Sequence, residues 1–153
     1  MKNLFPLCLL LALTYSSAVY AQDSMSKSHM SADAEFYFKG ENYLAALPLY
    51  KSLDSLSPNT DLKYKLGICY LHKTDEINRA IELLEMVLEK SPKKENLHYY
   101  LGRAYAMNYK FDEAISYYNE ALTKKTAKDK IQSIARYIEY CENGKKLVAN
   151  PID

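Results

Sequence analysis

The stretch that decides the fold of this chain reads Leu101-Gly102-Arg103-Ala104-Tyr105 and then, after a short polar turn, Phe111-Asp112-Glu113-Ala114-Ile115. Small and large residues recur there at the spacings of two amphipathic helices that face each other. Positions where two helices come closest must be small, and large side chains fill the space between those contacts. With Ala121 as a further small position, the pattern predicts a helical hairpin.

The same pattern occurs twice more toward the N-terminus. Leu66-Gly67-Ile68-Cys69-Tyr70 repeats the first half, and a weaker copy is centred on Ala34. Pro58 and Pro92, each after a serine, close these two copies and lie about 34 residues apart, a period typical of repeat proteins. Seven helices are predicted, at residues 31–39, 43–56, 60–72, 77–89, 95–107, 111–124 and 128–141.

These motifs resemble the tetratricopeptide repeat (TPR) family, whose period is about 34 residues. The resemblance covers residues 27–128 and implies an all-α TPR α-solenoid of three helix-turn-helix repeats, at about 27–60, 61–94 and 95–128. The first repeat departs from the family pattern, because Met30 and Asp33 stand where a large aromatic residue and a leucine are preferred, and Ala34 replaces the glycine.

A helical array needs a cap, because its last unit has an apolar face and nothing to stack against. Apolar residues recur every three or four positions near the C-terminus, at Ile131, Ile134, Ile138 and Cys141. Residues 128–144 are therefore predicted to form an amphipathic capping helix. We expect Gly144 to end it as a left-handed C-cap, and residues 145–153 to form an extended tail.

Residues 1–21 have the pattern of a cleavable secretory signal peptide. Lys2 precedes an apolar run, and Val19-Tyr20-Ala21 offers a small-residue cleavage site. The run is too short for a stable membrane span, although an uncleaved N-terminal anchor is the alternative. Residues 22–30 are polar and rich in serine, which predicts a flexible leader. The expected location is the periplasm, either free or associated with the outer membrane.

The segment from Ile138 to Pro151 is similar to the junction that follows the TPR array in a group of bacterial envelope proteins. There the array precedes a PD40-type β-propeller and an OmpA-like peptidoglycan-binding domain, and some members are associated with type IX secretion and gliding machinery. The similarity implies an exported scaffold for another envelope protein. The alternative is a purely structural N-terminal arm of a larger peptidoglycan-associated protein, with no ligand of its own.

Charge and motif content exclude several classes of function. With 20 basic and 19 acidic residues, the net charge is too small for a nucleic-acid or polybasic membrane binder. His-Glu-x-x-His, a phosphate-binding loop and Gly-x-Ser-x-Gly are absent from the sequence. Cys69 and His72 lie one helical turn apart, but two ligands do not make a zinc site. We therefore predict no enzyme activity, cofactor or metal.

Cys69 and Cys141 belong to the second repeat and the cap, with a whole repeat between them. A disulfide requires α-carbons within about 7 Å, so both are predicted to be buried free thiols.

The TPR resemblance also implies that the first helix of each hairpin lines a concave groove. By that rule the partner-binding residues are Glu35, Phe38, Lys39, Tyr64, Ile68, Leu71, His72, Tyr99, Arg103 and Met107. Aromatic residues with an arginine are the usual carriers of interface energy. Ile68 and Leu71 have an alternative role in packing against neighbouring hairpins.

The groove differs from that of TPR co-chaperones, which hold the C-terminal carboxylates of a chaperone with lysine, asparagine and arginine. Ser31 and Glu35 occupy the first-helix places here, and Asn96 replaces the third-helix lysine. An acidic Glu35 would repel a carboxylate. An apolar or mixed-charge helix or extended segment of a partner is therefore preferred.

Overall fold

The computed structural model describes residues 25–124 and 126–149, and these are mostly helical with no strand among them. Helix α1 spans residues 25–39, and a 3₁₀ turn at Thr74–Glu76 precedes the fourth helix. The remaining helices are α2 (Tyr43–Leu56), α3 (Thr60–Tyr70), α4 (Ile77–Lys90), α5 (Leu97–Met107), α6 (Phe111–Thr123) and α7 (Lys128–Ala149). The predicted all-α class is confirmed.

Side chains and turn residues set where the helices begin. Asn42 and Asn59 are N-caps: the side-chain oxygen of Asn42 accepts from the backbone N–H of Ala45 at 3.3 Å, and Asn59 caps α3 in the same way. The turns after α1 and α5 each contain a non-glycine residue in the left-handed region, Glu41 with φ 56° and Tyr109 with φ 59°. These tight turns fold each second helix back along the first.

From α2 to α7, each helix packs chiefly against the next one along the chain, and α5 also contacts α7. The closest helix crossings carry small residues, as predicted for Gly102, Ala114 and Ala121. Both alanines are fully buried, and a Cβ on Gly102 would lie 2.6 Å from the ring of Tyr118. Gly67 is equivalent, because its Cβ would lie 2.8 Å from Leu84. These contacts confirm the predicted hairpin packing.

Polar contacts join consecutive hairpins. The Tyr64 hydroxyl donates to the carbonyl of Glu95 at 2.6 Å, and the backbone N–H of Ala127 donates to Asn96 Oδ1 at 2.7 Å. Asn96 is itself left-handed, with φ 62°, so α5 begins at Leu97 and not at residue 95. The turn before α4 likewise shortens α3, which ends at Tyr70 instead of the predicted His72.

Four side chains of alternating charge connect the first hairpins, and we call them the charge ladder. It consists of Glu35, Lys65, Asp61 and Lys94. Lys65 contacts both Glu35 and Asp61, the latter at 3.4 Å, and Lys94 contacts Asp61. The ladder links α1 to α3 and α3 to the segment before α5.

The predicted flexible leader at residues 22–30 is wrong for residues 25–30, which already belong to α1. Met30 packs against the core, four residues before the fully buried Ala34. Phe38 follows four residues later and continues the same apolar stripe. Because this apolar stripe packs against the core, the polar, serine-rich segment that contains Met30 is helical. Residues 22–24 and the predicted signal peptide at 1–21 lie outside the described residues.

The predicted C-cap at Gly144 is also wrong. Gly144 lies inside α7, and none of the described glycines has a positive φ. A Cβ at this position would lie 2.6 Å from the ring of Phe111, so glycine permits close packing of α7 on α6. The predicted extended tail is helical over residues 145–149, whereas residues 150–153 lie outside the described part of the chain.

Two further predictions concern the thiols and the membrane. Cys69 and Cys141 are both free and buried, which confirms that prediction. Burial raises the pKa of Cys69 to about 12, so this thiol stays protonated at neutral pH. Within residues 25–124 and 126–149, we find no helix with the length and apolar character needed to cross a membrane.

Candidate functional site

The ten residues predicted to line the groove divide into two sets. Lys39 and His72 are exposed, and four more are partly exposed: Glu35, Phe38, Arg103 and Met107. The other four are buried, with exposed fractions of 9% or less: Tyr64, Ile68, Leu71 and Tyr99. The burial of Ile68 and Leu71 agrees with the alternative role in packing. A direct contact of these four with a partner would require the helices to separate.

Glu35 is occupied by contacts within the chain. Its carboxylate accepts from the Tyr50 hydroxyl at 2.9 Å and from the Lys65 ammonium. Burial acts to raise the pKa of Glu35, but these two hydrogen bonds and the charge of Lys65 outweigh it and lower the pKa. Phe38, one turn away on α1, packs edge-on against the rings of Tyr43 and Tyr50. The carboxylate of Glu35 is therefore satisfied within the chain.

Tyr64 connects the second hairpin to the third. Besides the hydrogen bond to Glu95, its ring meets the ring of Tyr100 edge-on at 6.0 Å, and the Lys94 ammonium lies 5.0 Å from its centre. Burial raises the pKa of Tyr64 above its ordinary value. A buried tyrosine whose hydroxyl is satisfied rigidifies the packing between α3 and α5.

His72 remains open to solvent and stacks on Tyr43, with ring centres 4.3 Å apart. Partial burial lowers its pKa, and the charge of Arg103 lowers it further, against the opposite effect of Glu41. At neutral pH the imidazole is therefore neutral. It presents a flat polarisable face and not a charge.

A cluster of tyrosines connects α5 to α6 and α7. Tyr137 stacks on the buried Tyr118 with ring centres 5.7 Å apart and planes at 15°, and it meets Tyr99 at 6.1 Å. The Lys130 ammonium lies 5.7 Å from the centre of the Tyr99 ring and 5.8 Å from that of Tyr100. Cation–π contacts of this kind hold the first turn of α7 against α5.

Next to this cluster lies a pocket of about 310 Å³ between α5, α6 and α7, which we call the α5–α7 pocket. It is lined by Arg103, Ala106, Met107, Phe111, Tyr118, Tyr137, Tyr140 and Cys141. Tyr140 is 58% exposed. The wall is apolar and aromatic with a single cationic group, the Arg103 guanidinium. This volume lies at the lower end of the range of ligand pockets, about 300–1,000 Å³, and it can admit one large side chain of a peptide.

The sequence prediction placed Arg103 and Met107 on the binding face, and the structure brings these two together in the α5–α7 pocket. It missed Tyr137 and Tyr140, because α7 was assigned only a capping role. The available signal was the pair of tyrosines three residues apart, which share one side of a helix. Tyr100, next to the predicted Tyr99, was missed as well, and it is half-buried between Tyr64 and Lys130.

An apolar and aromatic pocket beside one guanidinium can contact side chains of a peptide segment. The described residues contain no group of three or more histidine, cysteine or acidic side chains placed to hold a metal ion. Cys141 lines the α5–α7 pocket, and burial followed by the charge of Glu142 raises its pKa, which disfavours the nucleophilic thiolate. His98 is only 4% exposed and lies 3.4 Å from a carboxylate oxygen of Glu120.

Comparison with known proteins agrees with this architecture. Residues 61–94 and 95–125 each match a family model described as tetratricopeptide repeat. The crystal structure of the Sgt2 TPR domain from Aspergillus fumigatus has a similar fold, with a TM-score of 0.60 and 18% sequence identity over 84% of this chain and 86% of that one. A search of curated proteins found no match. The fold is therefore an all-α TPR solenoid.

Proposed function

We propose that this TPR solenoid is an exported, non-enzymatic scaffold that binds a segment of another envelope protein, as part of a type IX secretion or gliding-associated complex. TPR domains typically act as protein-interaction scaffolds. The observation that carries the proposal is the α5–α7 pocket, an open apolar cleft with one arginine. Rigid aromatic surface beside a guanidinium is the composition of an interface hot spot.

The proposed export is supported by the signal-peptide pattern of residues 1–21. Fractionation of the native cell followed by N-terminal sequencing tests it, and the expected N-terminus is Gln22. Detection of the chain in the cytoplasm with Met1 retained would contradict export. An immunoblot of the same fractions gives the size of the native product. A band much larger than 17.6 kDa would favour a recruiting arm of a multidomain protein.

The binding face is tested by site-specific photo-crosslinking in the native cell. A photoreactive residue replaces Met107, which lines the α5–α7 pocket, or Met86, a 39% exposed methionine on α4. Since Met86 lies on the second helix of its hairpin, it is a control of matched chemistry. We expect a discrete adduct from position 107 and none from position 86.

Adducts from position 86 alone would place the partner on the opposite face. The absence of adducts from both positions in intact cells would favour a purely structural arm. Affinity for a partner segment is expected to be about micromolar, or about −8 kcal/mol, because three repeats present a short groove.

A further inference from the structure

We propose that the α5–α7 pocket recognises a partner segment in which an aspartate or glutamate stands one or two residues from a bulky apolar side chain, an assignment that rests on the proposed function. The acidic group would pair with Arg103. The apolar side chain would enter the cleft beside Met107, Tyr137 and Tyr140.

Arg103 is the basic group that lines the α5–α7 pocket. In the part of the chain that the structure describes it makes no ion pair, although it is partly buried. Around it lie phenol rings, and its charge acts on Tyr99, Tyr100 and Tyr118. A guanidinium that is partly removed from water gains most from a carboxylate, which it binds through two parallel hydrogen bonds.

Three lysines on α3, on the segment before α5 and on α7 already have acidic partners. Lys130 pairs with Asp129 at 3.2 Å, and the charge ladder satisfies Lys65 and Lys94. A carboxylate of a partner that enters the α5–α7 pocket would therefore find an unpaired guanidinium at Arg103. Charge complementarity thus favours an acidic group of the partner at the α5–α7 pocket.

The volume of the α5–α7 pocket and the exposure of Tyr140 indicate which apolar side chain the pocket can bind. The cleft of about 310 Å³ admits one large aliphatic or aromatic side chain, and the exposed ring of Tyr140 stands at its edge. Since Arg103 lines the same cleft, the acidic group must lie close to the apolar one. Adjacent residues of an extended segment are about 3.3 Å apart along the strand. A separation of one or two residues meets this requirement.

The experiment uses the full chain without residues 1–21 as bait for a displayed library of random peptides. Three baits are compared: wild type, Arg103→Gln and Arg79→Gln. Arg79 is a matched control, because it lies on α4, is 60% exposed and pairs with Glu82 at 2.9 Å. The fold of each bait is checked by circular dichroism before selection.

We expect wild type and Arg79→Gln to enrich peptides with an acidic residue one or two positions from a bulky apolar one. Arg103→Gln should lose the acidic preference and keep the apolar one. For one selected peptide, Arg103→Gln should weaken binding by about tenfold. Against the same peptide with its acid changed to the amide, the loss should be less than about twofold.

The specificity would be overturned if the peptides selected by wild type showed no enrichment of acidic residues. It would also be overturned if Arg103→Gln weakened binding of the acidic and amide peptides equally. Either result would leave the proposed function in place. Failure of the wild-type bait to enrich any peptide would contradict the proposed groove binding itself, and with it the specificity.

Discussion

Replacement of Gly102 by alanine should destabilise the solenoid, although alanine favours helices. A Cβ at this position would lie 2.6 Å from the Tyr118 ring, where ordinary contacts lie at 3.4–4 Å. Tyr118 is 1% exposed and stacked on Tyr137, so a shift of its ring would disturb that stack and the wall of the α5–α7 pocket. Overpacking of this kind costs about 1–3 kcal/mol, and the gain in helix propensity offsets about 1 kcal/mol. We expect a net loss of about 1 kcal/mol.

Urea unfolding followed by circular dichroism measures this loss. At a typical slope of about 2 kcal/mol/M, the midpoint should fall by about 0.5 M with an unchanged slope. Gly40→Ala is the control, because its Cβ would meet only backbone oxygens at 3.4 and 3.7 Å, and its stability should lie within about 0.5 kcal/mol of wild type. If Gly102→Ala were as stable as wild type, Tyr118 would be mobile, and the wall of the α5–α7 pocket would not be rigid.

Three further changes test other parts of the structure. Tyr109→Gly should stabilise the fold by about 0.5–1 kcal/mol in urea unfolding, because the backbone of Tyr109 is left-handed and its side chain is 77% exposed. A loss of stability would mean that the Tyr109 ring contributes packing. Burial lowers the pKa of His98, so the unfolded chain binds the proton more tightly, and stability should fall as the pH drops below about 6.5. His98→Gln should reduce that fall between pH 7.5 and 5, and an identical pH profile would refute the assignment. Tyr64→Phe should cost about 1 kcal/mol through the lost hydrogen bond to Glu95, whereas Tyr37→Phe in the same melts should cost little.

Local spacing was sufficient to predict the hairpins, since the closest contacts involve residues whose size is visible in the sequence. Gly67 packs against Leu84 and Gly102 packs against Tyr118, as the alternation of small and large positions predicts. The two ends were harder. Gly144 reads as a helix terminator when α7 is considered alone, and only the Phe111 ring on α6 shows why a glycine is needed there.

The candidate site was only partly predictable, because exposure on the first helices depends on how tightly successive hairpins stack. Tyr64 and Tyr99 are of a residue type that is common in interfaces, but both are buried because successive hairpins pack closely. The sequence placed Arg103 on the groove side of its helix, and Arg103 lines the α5–α7 pocket in the structure. Tyr137 and Tyr140 belong to the pocket through the contact of α5 with α7, and no local pattern encodes that contact.

The neighbour-to-neighbour packing of the helices has a consequence for how the chain opens. Because each helix is held chiefly by the next, a disturbance at one end need not spread through the whole array. Amide exchange should therefore be slowest around Leu84 and Leu101, which are fully buried, and fastest in α1. A partner seated between α5 and α7 would join the last helices to the slowly exchanging centre. Binding would then lengthen the unit that unfolds cooperatively, without any change in the fold.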